Sequence, residues 1–192
     1  GGLPGIFIVG LAETAVKESR ERVRAALVQC GFEVPNRKLT INLAPADLPK
    51  SGGRFDLSIA IGVLAASGQI PSAGLADIEF FGELAFSGAL RPVGGLLPAL
   101  LAVQRDGRRA VVPSASAAEA ALLRSDSVRL ADHLLSVVRH LQGSEPLHPA
   151  PPPESPDEAH PEDLHDIQGQ TQAKRALEIA AAGGHNVLLI GP

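Results

Sequence analysis

LTINLAPADLPKSGGRFDLSIAIGVL, residues 39–64, decides the fold of this chain. Leu39, Ile41 and Leu43 alternate with Thr40, Asn42 and Ala44, the period of a strand with one buried face. Pro45, Pro49, Gly52 and Gly53 then punctuate a loop. From Asp56 to Leu64 the residues are apolar on nearly every side of a helical wheel, over a run too long for one strand. That predicts a helix buried on most of its surface. Strand, glycine loop and buried helix make half of an α/β unit, so the flanks are expected to supply further strands and covering helices.

The loop LPKSGGR has free glycine amides and two cations, Lys50 and Arg54. It does not follow the P-loop spacing, in which a lysine comes after the glycines and opens the helix. Two readings stay open, a turn carrying solvated charges and a contact for an anion or nucleic acid.

Working outward, Ile6 to Val9 reads as a short strand between Pro4-Gly5 and Gly10. Glu13 to Cys30 is helical in pattern, with Val16, Val23, Leu27 and Cys30 on one face. Lys17 with Glu21, and Glu18 with Arg22, are spaced to pair across the other face. Lys17, Arg20, Arg22 and Arg24 form a basic side, but the interspersed glutamates also fit a simply solvated surface. On the C-terminal side, Ile78 to Leu84 and Ala89 to Val93 read as a strand pair turned at Ser87-Gly88. A helix over Leu96 to Gln104, a strand over Ala110 to Val112, and helices over Ala117 to Leu123 and Ala131 to Leu141 follow. The alternation predicts an α/β or α+β domain ending at Gln142.

Of the 192 residues, 45% are hydrophobic and 20% charged, as in an ordinary globular protein, and no apolar run reaches the length of a membrane span. A net charge of -4 provides no bulk attraction to nucleic acid. The single cysteine, Cys30, rules out an internal disulfide, fits a reducing cytoplasm and suits a small core position. With no methionine, no signal peptide, and an apolar run stopping at Gly191-Pro192, both ends read as edges of a fragment. Residues 143–162, rich in proline (Pro146, Pro149, Pro151, Pro152, Pro153, Pro156) and acidic residues, read as an extended linker. His148, His160 and His165 lack metal-ligand spacing or cysteine partners, so no metal site is expected.

Residues 163–192, DLHDIQGQTQAKRALEIAAAGGHNVLLIGP, predict a helix over Thr171 to Ala182, ended by Gly183-Gly184, and a buried strand over Asn186 to Ile190. This resembles the opening of an AAA+ ATPase module, in which an I-x-G-Q segment lies beside the adenine and a strand leads into the Walker A loop. The resemblance makes Ile167, Gly169, Gln170, Gly191 and Pro192 the nucleotide-binding candidates. The lysine and Ser/Thr of that motif, which grip phosphate and Mg²⁺, are not in these 192 residues.

Four ordered segments, GLPGIFIVGLAETAVKESRERVRAAL, LTINLAPADLPKSGGRFDLSIAIGVL, GELAFSGALRPVGGLLPAL and GGHNVLLIGP, are similar to the ComM/YifB family of magnesium-chelatase-like AAA+ ATPases. The resemblance implies three parts: residues 1–142 as a domain like the C-terminal domain of Lon protease, a fold shared with a ribosomal-protein domain, then a linker over 143–162, and at 163–192 a truncated P-loop module. It further implies a cytoplasmic homo-hexamer driven by ATP and Mg²⁺ that acts on DNA as a branch-migration motor, with Lys50, Arg54, Arg20 and Arg24 as candidate DNA contacts and no membrane partner. A magnesium-chelatase motor subunit and a non-enzymatic binding module are the alternatives.

Lon catalysis pairs a serine with a lysine of lowered pKa. Laid on PKSGGRF, the serine position falls at Phe55. Laid on VGGL, the lysine position falls at Leu97. Neither side chain performs that chemistry, so a proteolytically inactive domain is expected.

Overall fold

The structure, a computed structural model, describes residues 5–10, 14–44, 52–152 and 163–191, and of Thr14, Ala15 and Lys17 only the backbone. It divides into two units, residues 1–153 and 154–192.

In the first unit, strand β1 (Gly5–Val9) pairs in parallel with β2 (Lys38–Asn42), placing Ile6 beside Leu39 and Ile8 beside Ile41. The alternation is the one expected: Ile6, Leu39 and Ile41 turn toward the core, while Phe7, Val9, Thr40 and Asn42 face outward. Helix α1 (Thr14–Gln29) connects them and buries Val16, Ser19, Val23, Ala26 and Leu27. It packs on α2 (Asp56–Ala66), whose Leu57, Ile59, Ala60, Ile61, Val63 and Leu64 are all buried. A helix apolar on every side has no face to give to water, and α2 forms the centre of the core.

A second sheet is parallel and three-stranded, in the order β3 (Ile78–Phe80), β6 (Arg109–Pro113), β7 (Val128–Ala131). Val111 of β6 joins the core built around α2, while Ala110 and Val112 join a second core with α3 (Leu96–Arg105) and α4 (Ala117–Ala121). Successive side chains of a strand point to opposite faces, so one buried strand serves both cores. Helix α5 (Leu134–Leu141) closes the first core with Leu134, Val137 and Val138.

Three expectations are corrected here. Ile78 to Leu84 is not one strand: it breaks at Phe81-Gly82, after which β4 (Glu83–Leu84) forms a hairpin with β5 (Leu90–Arg91). The first turn of α2 causes the break, because Gly82 N–H donates to Arg54 O and Gly82 O accepts from Leu57 N–H. Gly82 has φ +154°, and a Cβ there would stand 3.1 Å from Leu90 Cδ2. The last helix begins at Leu134, not Ala131, since residues 128–131 are the edge strand β7, and His133 Nδ1 caps the helix by accepting Leu135 N–H. Nor does the fold end at Gln142. Residues 147–150 return along β7, with Leu130 N–H donating to His148 O and Arg129 bridging Pro149.

In the second unit, Leu164–Asp166 forms one 3₁₀ turn, capped reciprocally by the Asp163 and Asp166 carboxylates. Helix α6 (Thr171–Gly183) follows and ends at Gly184, φ +63°. The strand expected over Asn186 to Ile190 is corrected too: these residues pair with no strand among the described residues, and Leu188 and Ile190 are 82% and 89% exposed. No helix among the described residues is long and apolar enough to cross a membrane.

Candidate functional site

The elements carrying Phe55 and Leu97 meet. Arg54, in the turn before α2, sends its Nη2 to the carbonyl oxygens of Gly94 and, at 3.3 Å, of Gly95 in the turn before α3. Between the turns lies a groove of about 400 Å³ lined by Gly52, Gly53, Arg54, Glu83, Pro92, Val93 and Gly94. A Cβ at Gly53 would overlap Glu83 Oε2 and stand 2.6 Å from its Cγ, so a larger residue there would displace the Glu83 side chain. Phe55 packs on the first core and Leu97 on the second. Their backbones are occupied locally: Phe55 O accepts from Ser58 Oγ at 2.9 Å, and Leu97 N–H donates to Glu119 Oε2 at 3.1 Å. The groove therefore presents glycine backbone, one carboxylate and an arginine already engaged.

The basic residues divide. Arg20 and Arg24, one turn apart on α1, line one groove of about 280 Å³ with Phe7, Glu21 and Val34. Both are exposed, and Arg20 Nε lies 2.9 Å from Glu21 Oε1. Arg54 lines the other groove. Lys50 lies outside the described residues. Arg22, on the same basic side in sequence, turns inward: its Nε meets Asp56 Oδ2 at 2.6 Å, and Nη2 meets Ser19 Oγ at 3.1 Å. The hydrogen bond to Asp56 outweighs the opposing effect of burial and, with the charge of Asp56, raises the guanidinium pKa further. Asp56 was not foreseen as a partner. Its signal was a lone carboxylate opening an otherwise apolar helix, which burial makes costly unless a cation meets it.

Cys30 is half-buried, with Sγ 3.9 Å from Ser87 O, and burial pushes its thiol pKa up. No cluster of three or more His, Cys, Asp or Glu among the described residues could hold a metal ion.

In the second unit, Ile167, Gly169 and Gln170 form the turn into α6. Gly169 and Gln170 both take positive φ, +72° and +52°, and Lys174 Nζ binds Ile167 O. Ile167 is left 46% exposed, an apolar surface beside a helix N-terminus. Gly191 ends the described chain, and Pro192 lies outside it.

Against known proteins, residues 1–116 match a family model described as subunit ChlI of Mg-chelatase, and residues 163–192 match a second described as magnesium chelatase, subunit ChlI. Protein YifB of Escherichia coli (strain K12) is 49% identical over 191 residues, covering all of this chain and 38% of the relative. The chain belongs to the ComM/YifB family of magnesium-chelatase-like AAA+ ATPases. Another ComM/YifB relative, the competence protein ComM of Haemophilus influenzae, is 49% identical over 196 residues, again across the whole chain and 38% of the relative. Lon protease 2 of Bacillus subtilis is 25% identical over 118 residues, 62% of this chain and 21% of that protein. The chain thus spans 38% of the length of its ComM/YifB relatives.

Proposed function

We propose that this chain is the N-terminal part of a hexameric, ATP-driven DNA motor that promotes branch migration during natural transformation and recombination. The observation that carries this reading is the 49% identity across the whole chain to a protein named for competence. In this reading the first unit is a Lon-like accessory domain that has lost the protease dyad at Phe55 and Leu97. The second unit opens the motor module.

The turn at Ile167, Gly169 and Gln170 fits the base of a nucleotide, since Ile167 offers an exposed apolar surface to an adenine ring. Gly191 and Pro192 would begin the loop around its phosphates. Bound ATP, with Mg²⁺ on its phosphates, supplies the driving free energy through phosphoryl transfer to water. What these residues contribute is placement of the base at the N-terminus of α6. Arg20 and Arg24, exposed on one groove, are the DNA contacts that this geometry favours, and such contacts bind phosphate without reading sequence. Arg54 is less available because its guanidinium holds the Gly94-Gly95 turn.

The test is ATP hydrolysis by the intact protein with and without forked or four-way DNA, with the 192-residue chain as control. Stimulation by branched DNA in the intact protein, and no turnover in the control, supports the motor. Turnover indifferent to DNA favours the second reading, a metal-chelatase motor subunit, which the descriptions of both matching families suggest.

A further inference from the structure

We propose that residues 144–150 form a pH-sensitive strap, latched along the edge of β7 by the imidazole of His140, and that protonation of this ring releases the strap. β7 is an outer strand of its sheet, with one row of backbone groups in need of partners. The strap supplies them in part: Leu130 N–H donates to His148 O at 2.9 Å, and Arg129 pairs with Pro149 in an antiparallel bridge. Leu147 packs against the first core and Ala150 against the second. Where the strap leaves α5, the N–H and Oγ of Ser144 both donate to Arg139 O, each at 3.0 Å. Glu145 Oε2 accepts from Arg139 Nη1 at 3.1 Å.

One contact in this set depends on the protonation state of a side chain. Leu147 N–H donates to Nδ1 of His140 at 3.2 Å. Nδ1 accepts a hydrogen bond only when it carries no proton, so an imidazolium there meets the amide donor-to-donor. The charged groups around the ring reinforce the choice. Arg129 on β7 and Arg109 on β6 both oppose a positive charge on it, Glu145 of the strap is committed to Arg139, and His148 is exposed. Burial first, then those two arginines, push the His140 pKa below the ordinary 6.5.

The released strap leaves a ring that binds a proton more readily than the docked one. Docking is therefore strongest above the ordinary histidine pKa and is lost as pH falls through the lowered pKa of His140. Release of residues 144–150 would open the β7 edge to another strand.

The experiment is amide hydrogen exchange by NMR on the 192-residue chain from about pH 7.5 to about pH 5, read as protection factors so that intrinsic exchange cancels. Protection at Leu147 and Leu130 is expected to fall by up to about tenfold per pH unit as pH drops from the ordinary histidine pKa toward the lowered one, while amides of α2 stay protected. His140→Asn keeps an acceptor near the Nδ1 position without a proton to gain, and its profile should be flat. A flat wild-type profile, or the same fall in His140→Asn, overturns the proposal. Should that variant not fold, the wild-type ring nitrogens decide: their titration midpoint must coincide with the midpoint of Leu147 deprotection, and a mismatch overturns it equally.

Discussion

Arg22 of α1 and Asp56 at the head of α2 form a two-point ion pair, Nε to Oδ2 at 2.6 Å and Nη2 to Oδ1 at 3.1 Å, with the carboxylate wholly buried. The same Oδ2 accepts the N–H of Leu84, so one carboxylate joins α1, α2 and the β4–β5 hairpin. Removing one partner of a buried pair costs about 3–5 kcal/mol, because the other loses its compensation. Asp56→Ala and Arg22→Met should each lower the urea midpoint strongly. The double variant should be less destabilised than the sum of the two, and strict additivity would show that the pair is not coupled.

Gly88 and Gly62 should respond oppositely to alanine. Gly88 has φ +92°, and a Cβ there would stand 2.5 Å from Cys30 Sγ and 2.9 Å from His133 Cε1. Strain and overpacking together should cost about 2–4 kcal/mol. Gly62 lies within α2, is exposed, and would meet nothing within 4 Å. Gly62→Ala should gain up to about 1 kcal/mol through helix propensity and a stiffer unfolded chain. Thermal denaturation of the two variants checks both signs.

If Arg20 and Arg24 bind DNA phosphate, Arg20→Gln and Arg24→Gln should weaken binding to any sequence alike. Each lost contact should flatten the plot of log affinity against log salt by about 0.9. Fluorescence anisotropy at several salt concentrations reads this directly. Arg54→Gln should act differently, lowering stability by loosening the Gly94-Gly95 turn and leaving the salt slope unchanged. Salt slopes unaltered in the α1 variants would remove that groove from the DNA-binding surface.

Burial pushes the Cys30 thiol pKa up, so the folded protein should carry less thiolate at neutral pH than the unfolded chain. Alkylation by iodoacetamide should be slower before urea is added than after, and its rate should keep rising with pH beyond the ordinary cysteine range. The linked stability is present below the unfolded thiol pKa and declines as pH rises through the folded value. Equal rates in the folded and unfolded states would show Sγ to be freely solvated.

Much of the fold was legible because its signals are local. The period of Leu39 and Ile41, the all-apolar wheel of residues 56–64 and the glycine stops each act within a few residues. The break at Gly82 was not legible, because it comes from backbone hydrogen bonds to Arg54 and Leu57, far off in sequence. Residues 146–150 read as linker for the same reason: proline-rich composition does not show that Leu147 has a core to enter or that β7 has an edge to cover. Asn186 to Ile190 erred the other way, since a run suited to a buried strand forms none without a partner strand. At the candidate site, Arg20, Arg24 and Arg54 were visible as cations, but their separation into two grooves was not.

By itself the sequence determined most of the strands and helices, the buried character of residues 56–64 and the membership in the ComM/YifB family. These follow from side-chain identity and short-range backbone preference. Only the tertiary structure decided that Arg22 is an internal partner and Arg24 an outward one, that Arg54 holds a turn, that β6 feeds two cores, and that His140 receives the amide of Leu147. The physical reason is that a charge or a donor has no fixed role along the chain. Its role is set by whichever group, often tens of residues away, the packed core brings within 3 Å.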